Sequence, residues 1–453
     1  MQRFPPPPAP NIVLILIDTL RADHLGAYGY PRPTSPIIDG LADRGVVFTN
    51  ATSNSSLTRP SVASIFTSRL PSEHGAYSFR RSIAPGLPTL AECLHNAGYK
   101  TFGVSGNFVH INEPFGFGRG FDRWREVSIE LADGDDDEMW PNTGPKGGQL
   151  SDPPATLVNK VALGFLSPSD VTPFFLYLHY MEPHSPYDAP EPIRSSFVSD
   201  PAMHAGRPEA SSRYLIDLAR TRPAVDPAER QRLIDLYDAE IATVDRAIGG
   251  LLDALKQRGL DKNTVVAVVS DHGEEFGEHG GWVHGGTLHR ESVWVPFIVH
   301  DARRPTRGIL RDEPVDLLDV ATTLLSLAGV DACEGMRGRP LLSPDGSAER
   351  EIIAELHLED RPEDATIPRL HRLALMSWPW RVILGQDETR SFFRVDRDPG
   401  ESDPLPPATS ELEDLGASAE RARKRLDTMA SRSRAGSIDA RTQEGLRTLG
   451  YTD

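Results

Sequence analysis

Two apolar runs in this 453-residue chain end in aspartate. NIVLILI, residues 11–17, runs into Asp18, and TVVAVVS, residues 264–270, runs into Asp271. An unbroken apolar run of seven residues suits a parallel strand buried on both faces. In open α/β sheets, ligands collect at the carboxyl ends of such strands. One aspartate there does no more than cap the next helix in the usual case. Two of them, with His272 directly after the second, form a set suited to one divalent cation, because carboxylate and imidazole together ligate one. The imidazole favours Mn or Zn, with Ca, which prefers oxygen ligands, as the alternative.

The segment TRPSVASIFTSR, residues 58–69, offers a nucleophile. Pro60 suits the first position of a helix that continues through Val62, Ile65 and Phe66, so Thr58 is expected just before a helix N-terminus. Helix N-termini favour anions through their N–H groups and dipole. Taken alone, Thr58 reads as a cap; beside a metal, its hydroxyl can be activated for attack.

These residues need elements to hold them. Ser35 and Pro36 open a helix through Ile37, Ile38 and Leu41. Thr89 and Glu92 form a capping box for a second helix ending at Gly98. Residues 100–105, 173–178 and 293–299 read as further strands. Residues 227–258 form a long helix with Leu233, Leu236, Ile241, Val244, Ile248, Leu251 and Leu255 on one stripe, and 316–329 another helix. The alternation predicts an α/β fold, a mostly parallel sheet with helices on both faces. Residues 126–154, rich in Asp, Gly and Pro, are expected to be an exposed excursion. Beyond about residue 340 the texture changes to short strands at 351–356, 372–376, 381–384 and 391–395, then a charged helix from Ser410. The expected division is a catalytic domain over 1–345 and, over 346–453, a small α+β subdomain with an antiparallel sheet and a helical tail.

Composition narrows the partners. Apolar residues make up 39%, and 48 Lys+Arg against 65 Asp+Glu give a formal net charge of -17. Such a surface repels nucleic acid and anionic lipid but leaves room for a small anionic substrate at a local site. Cys93 falls on a helical stripe with Leu90, Leu94 and Ala97 and is expected to be a buried core thiol; Cys333 lies in a loop, and no disulfide framework is indicated. No signal peptide is visible, and residues 12–17 are too few for a membrane span. The expectation is a soluble chain, cytoplasmic by default.

Four segments, DTLRADHLGAYGY, TRPSVASIFTSRLPSEHG, FFLYLHYMEPHSPY and SDHGEEFGEHGGWVHGG, together with SFFRVDRDPGES near the end, stand in the order and spacing of sulfatase-like enzymes. From Asn11 to about Asp403 the chain resembles this branch of the alkaline phosphatase superfamily. The resemblance implies the alkaline-phosphatase-like fold and a metal-dependent ester hydrolase. It makes Asp18, Asp271 and His272 metal ligands, with Thr58 as the nucleophile that also binds the metal. His184 matches a histidine that contacts the substrate's anionic group. His279 and His284 fall where related enzymes place substrate-binding or leaving-group-assisting side chains. Arg59 is a further candidate to stabilise the equatorial oxygens, and His289 and His300 are read as structural.

Three positions depart from the sulfatase pattern. Thr58 replaces the Cys or Ser that sulfatases convert to formylglycine, and Val62 replaces the arginine of that motif. Thr19 replaces the second aspartate of an Asp-Asp pair. His272 stands where many sulfatases have asparagine. Oxidising threonine yields a ketone, so no formylglycine is expected. Threonine nucleophiles occur in lipoteichoic acid synthases, phosphoethanolamine transferases and nucleotide pyrophosphatases, which act at phosphorus. The first two usually carry several membrane helices, which this sequence lacks, so hydrolysis of a phosphodiester or phosphonate ester is expected ahead of transfer. A sulfuric ester hydrolase using plain threonine is the rival, and a degenerate anion-binding member a further one.

Overall fold

The computed structural model describes residues 9–78, 81–127, 154–167, 172–198, 210–221, 224–304, 306–343, 350–357, 371–387, 389–407 and 409–430. Among the described residues, eight strands form the main sheet, in the order Ile309–Arg311, Val46–Phe48, Phe297–Asp301, Thr264–Ser270, Asn11–Ile17, Phe174–Tyr180, Lys100–Ser105 and Arg123–Glu126. Only Phe297–Asp301 runs against the others. The two aspartate-ending strands are neighbours at the sheet's centre, with Phe174–Tyr180 on the other side of Asn11–Ile17.

Both faces of the central strands are covered, which is why their sequences are apolar without alternation. On one face Val13, Ile15, Ile17, Leu176, Leu178, Val266 and Val268 meet the long helix Pro227–Gln257 through its stripe from Leu233 to Leu255. On the other, Ile12, Leu14, Leu16, Tyr177, Val265 and Val269 meet Val62, Ile65 and Phe66 of the helix Thr58–Thr67 and the helices Leu90–Asn96 and Leu318–Ala328. The expected capping box is present: Thr89 Oγ1 accepts from Glu92 N at 3.2 Å, and Thr89 N donates to the Glu92 carboxylate at 2.9 Å.

Some boundaries differ from the sequence reading. The strand expected over 293–299 is a short helix, Arg290–Val293, followed by the strand Phe297–Asp301. Pro296 lies between them; it cannot donate to a ladder and forces the break. The strand expected to stop at residue 178 continues to Tyr180. The helix at Thr58 includes Thr58 itself, so Pro60 is its third residue, where a missing N–H costs nothing because the first turn's donors lack intrahelical partners anyway. The excursion over 126–154 falls mostly outside the described residues, as does the tail beyond residue 430.

Nearer the C-terminus, Ile352–His357, His371–Ser377, Trp380–Leu384 and Arg390–Arg394 pair antiparallel in chain order. One face of this sheet packs under the helix Ser410–Ala430 through Leu412, Leu415, Ala419 and Leu426. The other packs Ala354, Leu356, Met376 and Phe393 against Leu57, Leu288 and Val293. Among the described residues, no helix is long and apolar enough to cross a membrane.

The expectation of two separate thiols is corrected. Cys93 and Cys333 form a disulfide across 240 residues, with their Cα atoms 6.1 Å apart. Cys93 is buried in its helix as expected, but the loop carrying Cys333 follows the helix Leu318–Ala328, which packs on the same face. That proximity exists only in the tertiary fold. Closing so long a loop removes much chain entropy from the unfolded state. Replacing both cysteines by serine should therefore destabilise the protein by about 2–4 kcal/mol, read as a lower denaturant midpoint; an unchanged midpoint would show that the bond constrains nothing.

Candidate active site

Strand parity gathers the polar residues at the carboxyl edge. Leu16, Tyr177 and Val269 point to the face that holds the Thr58 helix, so Asp18, His179 and Asp271, each two residues further on, point there too. The register sets Ile17 beside both Ser270 and Tyr180, which makes the edge positions neighbours. Asp18, His179 and Asp271 each offer a ligand atom within 4.8 Å of the others, and all three are fully buried.

The hydrogen bonds leave acceptors facing acceptors. Asp18 Oδ2 accepts from Asn107 Nδ2 at 2.8 Å and from His179 Nε2 at 3.0 Å, while Oδ1 is buried with no hydrogen-bond partner among the described residues. Asp271 Oδ1 accepts from the amides of Thr19 at 3.2 Å and His272 at 3.0 Å; its Oδ2 is likewise buried without a partner. Thr19 reaches that carboxylate from a left-handed conformation, φ 56°, strained for a β-branched residue. His272 Nδ1 lies 2.9 Å from the Gly273 carbonyl, which can only accept, so Nδ1 carries the proton and Nε2 the lone pair. That lone pair is 3.1 Å from Thr58 Oγ1, 3.5 Å from Asp271 Oδ2 and 3.8 Å from Asp18 Oδ1.

Two unpartnered carboxylate oxygens and an imidazole lone pair converging in a dry site lack a positive charge, and the donor set fits a divalent cation. The titration behaviour agrees. Burial, then the neighbouring Asp18 charge, push Asp271 up to about 7. Burial works against Asp18 ionisation as well, but the His179 hydrogen bond and the surrounding imidazoles hold Asp18 below the usual carboxylate range. Burial pushes His272 below the ordinary imidazole value, which keeps its lone pair available.

A cavity opens at the start of the Thr58 helix, lined by Leu57, Thr58, Arg59, Pro60, Ser78, His110 and His284. The His284 ring centroid is 4.4 Å from that of His272 and 5.1 Å from that of His184, so His184 joins the cluster. Glu274 holds His284 through Nδ1 at 2.9 Å. Arg59 forms part of the wall, and its buried guanidinium is bound within that wall. It lies 3.3 Å over the Phe115 ring and donates to the carbonyls of Ser78, Val109 and His110.

His279 stands apart from the residues expected to share its role. Its Nδ1 donates to Glu291 at 2.7 Å and its Nε2 to the Glu401 carbonyl at 2.9 Å, and its ring stacks on His289. The sequence grouped it with His284 because both follow Asp271 closely, but the turn between them sends the two rings in different directions. Three residues of the cluster escaped the sequence reading. His179 lay one residue past the expected strand end, although its parity with Tyr177 was a usable signal. Asn107 and His110 follow the strand Lys100–Ser105, and nothing local shows that this strand lies beside Phe174–Tyr180.

A mostly parallel α/β sheet with a buried carboxylate pair and a helix-borne hydroxyl at its carboxyl edge is a layout in which a metal-dependent hydrolase can work. The profile of the sulfatase family matches residues 10–330, and the chain belongs to that family. It is a hydrolytic enzyme, and enzymes of this family use a metal ion. An arylsulfatase of Clostridium perfringens is 27% identical over 394 residues, which cover 77% of this chain and 81% of the relative. An N-acetylglucosamine-6-O-sulfatase of Bacteroides thetaiotaomicron is 24% identical, covering 80% and 76%. In structure, a protein solved with its substrate D-glucosamine-2-N,6-O-disulfate superposes with TM-score 0.71 at 20% identity, covering 93% of this chain and 98% of the other. The phosphonate monoester hydrolase of Agrobacterium radiobacter gives TM-score 0.69 at 18% identity, covering 93% and 96%.

The two histidines should differ in their hold on a cation. His179 Nε2 donates to Asp18, so it orients a ligand, whereas the His272 lone pair faces the carboxylates directly. His179→Ala should weaken metal binding about 10- to 100-fold, and His272→Ala should weaken it more. Elemental analysis and metal titration of the purified variants check the order; full metal content in His272→Ala would remove it from the ligand set.

Proposed function

We propose that the protein hydrolyses small anionic esters of the phosphate type, phosphodiesters or phosphonate esters, through a covalent intermediate on unmodified Thr58. The observation that carries this reading is the Thr58 hydroxyl 3.1 Å from the His272 lone pair, beside two buried carboxylate oxygens without partners. Asp18, Asp271, His272 and Thr58 would hold one divalent cation, Mn or Zn ahead of Ca, with His179 and Asn107 orienting Asp18. When bound, the ion supplies positive charge that favours loss of the Thr58 proton and offsets charge building on the reacting group.

The chain's own residues supply the remaining steps. Thr58 Oγ1 releases its proton to water and attacks phosphorus, and the bond from phosphorus to the leaving oxygen breaks. The start of the helix Thr58–Thr67 and His184 favour the equatorial oxygens. His284, fixed by Glu274, gives a proton to the leaving oxygen. A water then attacks phosphorus and passes its proton to His284, the bond from phosphorus to Thr58 Oγ1 breaks, and Thr58 Oγ1 takes back a proton from solvent.

Sulfate ester hydrolysis is the second reading, favoured by relatives such as the arylsulfatase and the glucosamine sulfatase. Chemistry ranks it second. A formylglycine hydrate expels sulfate by collapsing to the aldehyde. A threonine sulfate lacks that exit and needs a second attack on sulfur. A threonine phosphoester can be released by water at phosphorus.

Thr58→Ala should lower kcat by on the order of 10³-fold or more with an unchanged thermal midpoint, and intact mass should show no oxidation at Thr58. Near wild-type turnover would remove Thr58 from the mechanism. For substrate class, kcat/KM on phosphodiester and phosphonate esters should exceed that on the sulfate ester of the same phenol. The opposite ranking would make this a sulfatase that works by plain threonine.

A further inference from the structure

The described residues that follow Asp271, from His272 to Val293, carry His284 into the cavity, and one residue of the C-terminal region grips that segment at several points. Glu401 is buried and adopts a left-handed backbone, φ 52°, a conformation that side-chain-bearing residues hold only when surroundings enforce it. Its Oε2 accepts from His289 Nδ1 at 2.9 Å and from the Arg290 amide at 3.1 Å. Its Oε1 accepts from Arg381 Nη1 at 2.5 Å, and its carbonyl accepts from His279 Nε2 at 2.9 Å. Arg381, on the antiparallel sheet, also donates to the Leu288 carbonyl.

The histidines complete the grip. Both partners of His279, the Glu291 carboxylate and the Glu401 carbonyl, can only accept, so the ring donates from both nitrogens and is an imidazolium. The Glu291 hydrogen bond accordingly raises His279 to about 9. His279 stacks on His289 with centroids 3.6 Å apart and planes 5° from parallel. The gripped segment then lies against the nucleophile's helix. Gly285, φ 75°, passes so close to Leu57 that a Cβ there would sit 2.5 Å from Leu57 Cδ2, and Leu57 immediately precedes Thr58. Leu57 and Leu288 share one apolar cluster with the antiparallel sheet.

We propose that Glu401 is a positioning residue for catalysis: by holding His279, His289 and Arg290, it sets the placement of His284 against Thr58. The C-terminal sheet is thus part of the catalytic apparatus although none of its described residues lines the cavity. This inference rests on the reading of His284 as the residue that protonates the leaving oxygen.

The test uses the full chain with its metal, in Glu401→Ala and Glu401→Gln, the latter keeping the size and an acceptor where alanine threatens folding. His284→Gln is the reference. kcat and KM are measured on two aryl esters differing only in leaving-group acidity, together with metal content and amide hydrogen exchange over residues 279–290. Glu401→Ala should lose about 10- to 100-fold in kcat on the poorer leaving group and under about 5-fold on the better one. KM and metal content should hold, and exchange over 279–290 should quicken. Glu401→Gln should fall between this variant and wild type. Equal losses on both esters, in proportion to lost folded protein, would reduce Glu401 to a stability element and overturn the proposal, as would wild-type kinetics with unchanged exchange. If His284→Gln shows no leaving-group dependence, the His284 reading fails. The proposal for Glu401 then falls with it, whereas leaving-group dependence in His284→Gln with none in Glu401→Ala overturns the Glu401 proposal alone.

Discussion

Burying Asp18 and Asp271 side by side is the constraint that the rest of the site answers. Two carboxylates in a dry interior repel each other and lose their hydration, a cost of several kcal/mol per ion even after relaxation. Asn107, His179 and the amides of Thr19 and His272 satisfy one oxygen of each carboxylate. The other oxygen of each is left facing the lone pair of His272. A cation in reach would relieve that cost, as would protonation of Asp271, which burial and the Asp18 charge favour.

The layers around the sheet serve that constraint. The long helix seals one face, and its Tyr237 donates a 2.7 Å hydrogen bond to the carbonyl of Thr19, helping to fix the turn that delivers an amide to Asp271. The helix Thr58–Thr67 seals the other face and places its first residue at the sheet's carboxyl edge. Apolar packing therefore sets the distance between the Thr58 hydroxyl and the buried carboxylates. The antiparallel sheet supports both Leu57 and the segment after Asp271, which ties the region beyond residue 350 to the geometry at Thr58.

The sequence by itself determined most of the elements and the residue types that each motif brings. Unbroken apolar runs marked the central strands because burial on both faces leaves no alternation, and the capping box at Thr89 marked its helix because its hydrogen bonds span only three residues. Asp18, Thr58, Asp271 and His272 stood out as candidates for the same local reason: each closes or opens an element that its neighbours define. The tertiary structure alone decided which elements are adjacent. It brought His179 from the neighbouring strand and Asn107 and His110 from the loop after residues 100–105. It joined Cys93 to Cys333, set Arg59 over Phe115 and sent His279 to Glu401 while His284 stayed in the cavity. Those outcomes depend on strand order, side-chain direction and contacts between residues far apart in sequence, and local periodicity and spacing carry no record of them.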